Sequence, residues 1–212
     1  MLDRLKAFKG DIVIATTDDG SEAPIVALCK QLGIPSFRGD TDNVLERYYH
    51  CAKSYVKGRD DVIVRLTSDC PLIDPEIVRQ TVDFFETGSF DYVSNCVART
   101  FPRGFDCEVF GFGALEQAYL NAVTPFEKEH VTTYIHTTHK DAFKIGSFCD
   151  VRGDRGGKYR LTLDEEADYE VIKALYTLFD CRTDFGYEGL LEVLSAHPEI
   201  YEMNRHVEQK KR

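Results

Sequence analysis

Short β-branched apolar runs alternate with segments of helical periodicity along almost the whole chain, and this alternation limits most what the chain can fold into. Asp11 to Thr17 carries Ile12, Val13 and Ile14, the composition of a strand buried on both faces. Ser21 and Pro24 mark a helix start, Ile25, Leu28, Cys29 and Leu32 share one helical face, and Gly33 ends it. Ile34 to Arg38 reads as a second short strand. Asp42 then caps a longer helix with Val44, Leu45, Tyr48, Tyr49, Ala52 and Val56 on one face. Asp61 to Leu66 is the next strand, followed by a loop and a helix that Asp74 caps with Pro75 at its first position. Asp91 to Asn95, Cys107 to Phe110 and Phe143 to Phe148 read as extended; Leu115 to Ala122, Phe126 to His139 and Glu165 to Phe179 read as helical. Alternation with short connections predicts an α/β fold with a mostly parallel sheet. Residues 1–180 form its domain, and 181–212 a C-terminal helix with a polar, basic tail.

Hydrophobic residues make up 43% of the 212 and charged residues 29%, a globular balance. No stretch approaches the ~20 apolar residues of a membrane helix. The start Met1 to Lys6 has no signal-peptide core, which predicts a cytoplasmic protein without a membrane partner. A net charge of −10 argues against nucleic acid as a partner. An acidic protein can still bind a nucleotide if a metal ion offsets carboxylates near the phosphates. The seven cysteines include no C-x-x-C pair, the pattern of reduced, mostly buried thiols. His130, His136 and His139 lack a zinc-site spacing and read as solvated helix histidines.

In parallel sheets the ligand sits beyond the carboxyl ends of the strands. The loop Arg65 to Asp74 presents Asp69 at such an edge, placed to hold a divalent cation against phosphates. A turn-capping role for Asp69 stands beside that reading. Asp164 ends a second extended stretch, Tyr159 to Leu163, where a helix-capping role is equally open. If both converge, they make a magnesium site with open positions for substrate oxygens. The chain has no G-x-S-x-G elbow, Walker loop or G-x-G-x-x-G. Gly153 to Lys158 is glycine-rich and basic and reads as a mobile surface loop, with closure over a substrate as the alternative.

Several segments occur in a recognisable order: Phe37 to Asp40 with Asp42 to Leu45, the Arg65 to Asp74 loop, Asp91 to Asn95, Gly104 to Phe110, Glu129 to Thr132, and Arg160 to Asp164. Together they resemble the cytidylyltransferase family of the spore coat polysaccharide biosynthesis SpsF type, related to the synthetases of CMP-ketodeoxyoctonate and CMP-sialic acids. The resemblance implies a three-layer nucleotide-diphospho-sugar transferase (Rossmann-like) fold. It implies that Asp69 and Asp164 are catalytic and hold Mg²⁺. Arg38, Asp42, Asn43 and Arg65 would then lie against the nucleotide. Arg103, Asp106, Glu108, Glu129, His130 and Arg160 would lie near the sugar, with a helix-terminal role open for Glu129 and His130.

Family members begin with a strand and a basic loop, Arg-x-x-x-Arg-Leu-x-x-Lys, that grips the triphosphate. Leu2 to Lys6 resembles the last turn of the helix after that loop, so the first strand and the loop are expected to be missing, with an open sheet edge at Asp11 to Thr17. The implied reaction joins a sugar acid to CTP, giving a CMP-sugar and pyrophosphate for a cell-surface polysaccharide. A catalytically incomplete binding protein and a sugar-nucleotide-dependent glycosyltransferase are the alternatives. The relatives also pair as homodimers through an arm after a central strand. Here that arm corresponds to Val97 to Val109, where Phe101 and Phe105 are expected to be exposed.

Overall fold

The computed structural model describes residues 1–6, 8 and 11–208. The first half comprises α1 (Leu2–Leu5), β1 (Ile14–Thr16), α2 (Ala23–Leu32), β2 (Ser36–Arg38), α3 (Val44–Lys53), β3 (Val62–Arg65), α4 (Pro75–Gly88) and β4 (Tyr92–Ser94). The second comprises β5 (Glu108–Gly111), α5 (Phe112–Asn121), α6 (Pro125–Glu129), β6 (Ile145–Ser147), α7 (Glu166–Leu178), α8 (Tyr187–Ala196) and α9 (Pro198–Glu202). No described helix is long and apolar enough to cross a membrane.

The strands form a parallel β1–β2 pair and a four-stranded sheet in the order β3-β5-β4-β6. Within the larger sheet β3, β4 and β6 share one direction, and β5 alone runs against them. The α/β fold with mostly parallel strands expected from the alternation is therefore present, with one reversed strand at its centre. That reversal has a positional consequence, because the amino end of β5 lies at the carboxyl ends of β3 and β4. Arg65 pairs with Glu108, and Ser94 with Glu108 from the other side. Asn95 extends the ladder beyond β4: its side chain donates to Phe105 C=O (2.6 Å) and accepts from Cys107 N–H (2.9 Å).

Local signals set most boundaries. Gly33 closes α2 in the left-handed region at φ 68°, which glycine adopts without a Cβ penalty. Asp74 caps α4 by accepting from Glu76 N–H (2.8 Å), and its other oxygen accepts from Tyr187 N–H (2.6 Å) at the start of α8. One buried carboxylate thus fixes two helices.

Other boundaries depart from the expectation. The cap of α3 is Asn43, which accepts from Glu46 N–H (3.2 Å); Asp42 is one residue early and remains exposed. Among the described residues the strand expected over Asp11 to Thr17 pairs at Ile14–Thr16 with β2 alone, and Ile14 and Ala15 are half-buried. The helix expected over Phe126 to His139 is broken. α6 stops at Glu129, Val131 takes φ 56°, and a π-helical turn follows at Tyr134–Thr138. The C-terminal segment splits at Pro198, and the end of the expected tail, 209–212, lies outside the described residues.

Phe101 and Phe105, expected on the surface, are 1% and 0% exposed. They pack in one cluster with Tyr159, Leu161, Val171, Leu175, Tyr187 and Leu190, where their large apolar area is worth more inside than on an arm. The aromatic argument for a dimerisation arm falls with them. Burying this segment brings backbone against backbone. Leu161 N–H donates to Arg103 C=O (2.9 Å), and a Cβ on Gly104 (φ 103°) would stand 2.3 Å from the Leu161 carbonyl oxygen. Gly104→Ala is therefore expected to cost about 2–3 kcal/mol through strain and clash together, read as a lower denaturant midpoint at unchanged slope. A midpoint equal to the parent's would show that the contact is relieved without cost.

Candidate active site

The carboxyl edge of the large sheet gathers most of the charged residues singled out in the sequence. Asp69 follows β3, and its carbonyl accepts from Leu163 N–H (2.8 Å). The loops bearing Asp69 and Asp164 are thereby joined side by side. Arg103 and Arg160 pair as a short parallel bridge, which adds the Phe101–Phe105 segment to the same edge. Asp106 lies here too, gripped by the Arg99 fork (2.6 and 2.8 Å). Burial alone would raise its carboxyl, but the Arg99 guanidinium holds it below the usual range.

Glu108 is the most engaged of the carboxylates singled out in the sequence. Arg65, Tyr92 Oη (2.7 Å) and Thr132 Oγ1 all donate to its carboxylate, whose side chain is only 12% exposed. Burial would push this carboxyl up, but the Arg65 charge and the two hydroxyls hold it lower than an ordinary glutamate. The Thr132 contact also explains the broken helix. Val131 is fully buried at a positive φ, a strained state for a β-branched residue, and Thr132 tied to Glu108 helps hold it there. His136, expected to be solvated, is half-buried and stacks on Tyr92 (centroids 5.2 Å apart), and burial lowers its pKa. Its spacing of four from Thr132, one helical turn, is the sequence signal that could have placed it.

Asp164 is partly exposed (41%), and its Oδ2 accepts from Arg160 (2.7 Å). Asp69 makes no ion pair among the described residues, and its only side-chain neighbour by hydrogen bonding is the Cys70 thiol (3.6 Å). Burial and the Asp69 charge push that thiol upward, so it stays protonated. Arg103 makes no ion pair or side-chain hydrogen bond among the described residues, and burial with the neighbouring Arg99 lowers its pKa. A two-carboxylate pair fits Mg²⁺, which keeps waters and substrate oxygens for its remaining positions. No cluster of three or more metal-binding side chains is present among the described residues.

The remaining candidates lie apart. Arg38 pairs with the buried Glu22 (3.1 Å) in the small sheet, while Asp42 and Asn43 N–H groups donate to Asp40 (2.8 and 2.6 Å). No hydrogen bond or ion pair among the described residues joins them to the Asp69 edge. α3 leads towards it, with Tyr48 Oη donating to Leu66 C=O (3.5 Å) and its ring facing the Arg65 guanidinium at 5.4 Å. Glu129 is exposed, and the His130 ring meets Phe126 edge-on (4.7 Å). The basic loop is not free either: Arg152 and Arg155 both pair with Asp150. Two cavities, of about 350 and about 310 Å³, are lined by residues such as Phe84 and Phe148 in one, and Asn43 and Lys128 in the other. Neither is lined by Asp69 or Asp164; at the sheet edge Asp164 is exposed and Asp69 half-buried.

Compared with known proteins, residues 2–210 match the cytidylyltransferase family. A cytidylyltransferase from Leptospira borgpetersenii serovar Hardjo-bovis superposes with a TM-score of 0.88 at 34% identity, over 100% of this chain and 86% of that one. The spore coat polysaccharide biosynthesis protein SpsF of Bacillus subtilis is 31% identical over 90% of this chain and 77% of its own length. MJ1063 of Methanocaldococcus jannaschii is 35% identical over 99% of this chain and 84% of its own. The chain belongs to the cytidylyltransferase family, and its class is nucleotidyltransferase.

The buried Arg65–Glu108 pair gives a pH-dependent expectation. Glu108→Gln leaves the guanidinium buried without its counter-charge, a loss of about 3 kcal/mol or more at neutral pH. Because the folded carboxyl titrates below the unfolded one, near 4.3, the parent's advantage is full above that value. It disappears as pH falls through the lower folded value. Denaturant melts of both proteins from pH 7 down to pH 3 check this, and a gap that stays constant with pH refutes it.

Proposed function

We propose that the chain transfers CMP from CTP to the hydroxyl of a sugar acid, releasing pyrophosphate and yielding an activated sugar for a surface polysaccharide. The observation that supports this reading is the Leu163 N–H···O=C Asp69 bond, which joins the loop after β3 that carries Asp69 to the segment that leads into Asp164. Asp69 and Asp164 would hold Mg²⁺, which screens the α-phosphate and the leaving pyrophosphate. Arg103, which makes no ion pair among the described residues, would meet an anionic oxygen of the substrate at the same edge. Arg65 acts at one remove from the nucleotide, since its charge is committed to Glu108. The sugar-acid acceptor is supported by the resemblance to the CMP-sugar synthetases, and the polysaccharide role by likeness to SpsF. A cytoplasmic location gives such an enzyme its CTP.

A catalytically incomplete, nucleotide-binding role is the second reading, and one observation favours it. Arg38, Arg65, Arg99, Arg152, Arg155 and Arg160 all sit in ion pairs, which leaves little free positive charge for a triphosphate. The two readings separate by experiment. Calorimetry with Mg²⁺ and CTP is expected to show binding in the parent and a loss of about 10-fold or more in both Asp69→Asn and Asp164→Asn, with little change in melting temperature. Pyrophosphate release with a sugar acid supports transfer; CTP binding without release supports the second reading. Parent-like binding in either variant removes that residue from the site.

A further inference from the structure

Beneath Asp164 lies a buried polar assembly that none of the sequence motifs explains. Asp168 is fully buried in the first turn of α7. Its two oxygens receive the Arg160 fork through Nε and Nη2 (both 2.9 Å), and Oδ2 also accepts from the N–H groups of Asp164 (3.1 Å) and Glu165 (3.0 Å). Asn204, just past α9 and 2% exposed, donates through Nδ2 to Asp168 Oδ1 (2.8 Å) and to Arg160 C=O (2.9 Å). Asp168 therefore holds Asp164 by its backbone, and Arg160 holds it by its side chain. Asn204 ties both holders together.

The charges in this assembly are arranged to leave Asp164 usable. Arg160 spends its bidentate face on Asp168, so that buried carboxylate is neutralised in place. Arg160 reaches Asp164 with a single N–H, and Asp164 Oδ1 accepts no hydrogen bond among the described residues. A carboxylate clamped through one oxygen keeps its rotamer and presents the other, which is the role outer-layer partners play for metal-binding carboxylates.

We propose that Asp168 and Asn204 are positioning residues for the Asp164 carboxylate, acting through Arg160, so that the chain's last helix takes part in setting metal affinity. This rests on the proposed metal role of Asp164. It also gives Arg160 a task other than contact with the sugar.

The test uses the full chain, with Mn²⁺ binding followed by electron paramagnetic resonance in the presence of CTP. Asn204→Ala is expected to weaken Mn²⁺ binding about 10-fold or more. The Mg²⁺ concentration for half-maximal pyrophosphate release should rise in parallel, while the rate at saturating Mg²⁺ stays near the parent's. Should Asn204→Ala lower the melting temperature sharply, Arg160→Lys offers a second variant. It keeps the charge but not the fork, and the same loss of Mn²⁺ affinity is expected. If Asp164→Asn abolishes Mn²⁺ binding while Asn204→Ala and Arg160→Lys bind as the parent does, the inference is overturned and the metal reading stands. If Asp164→Asn binds Mn²⁺ like the parent, the metal reading falls and takes the inference with it.

Discussion

The direction of one strand organises this molecule. β5 enters the sheet antiparallel between β3 and β4, so its amino end, with Asp106 and Glu108 before and at its start, arrives where its neighbours finish. A parallel strand in that slot would have put those carboxylates at the opposite edge. The reversal also explains why the buried Arg65–Glu108 pair exists, since these residues face each other across the ladder. Once placed there, Glu108 reaches Tyr92 and Thr132 and so joins β3, β4 and the turn after α6 in one polar knot. Such a knot specifies a unique arrangement because each partner left unpaired would be costly.

The fold was legible where local chemistry decides structure. β-branched runs become strands, Pro75 after Asp74 becomes a capped helix start, and Gly33 becomes a helix end, because each rests on backbone preferences within a few residues. Asp42 and Asn43 are equally good caps by type, and only the register of α3 separates them. The break at Val131 was illegible for a clear reason: valine is among the residues least suited to positive φ, and a contact 24 residues away helps hold it there.

At the site, residue types at strand ends were readable and their partners were not. Asp69 and Asp164 stand out as carboxylates closing extended stretches, but the bond that joins their loops is between backbone atoms nearly a hundred positions apart, which no spacing encodes. Asn204 comes from beyond α8, in a segment that reads from sequence as a separate helix and tail. The resemblance implies Glu108 near the sugar; the folded chain commits its oxygens to protein donors. Ion pairing redistributes roles in the same way for Arg38 and the Arg152 to Arg155 loop.

The small β1–β2 pair has a thermodynamic consequence of its own. α2 covers it poorly: Ile25, Leu28 and Leu32 remain 46%, 49% and 46% exposed, and Cys29 is its one buried side chain among the described residues. Regions with so little buried apolar area open locally at a free energy well below that of global unfolding. Arg38 and the loop before α3 belong to this soft margin, whereas the Asp69 edge belongs to the rigid one. A ligand spanning both must order the first against the second, so part of its binding energy goes into loss of chain entropy. For a ligand that spans both, affinity would depend as much on how firmly the margin is held as on the contacts it offers.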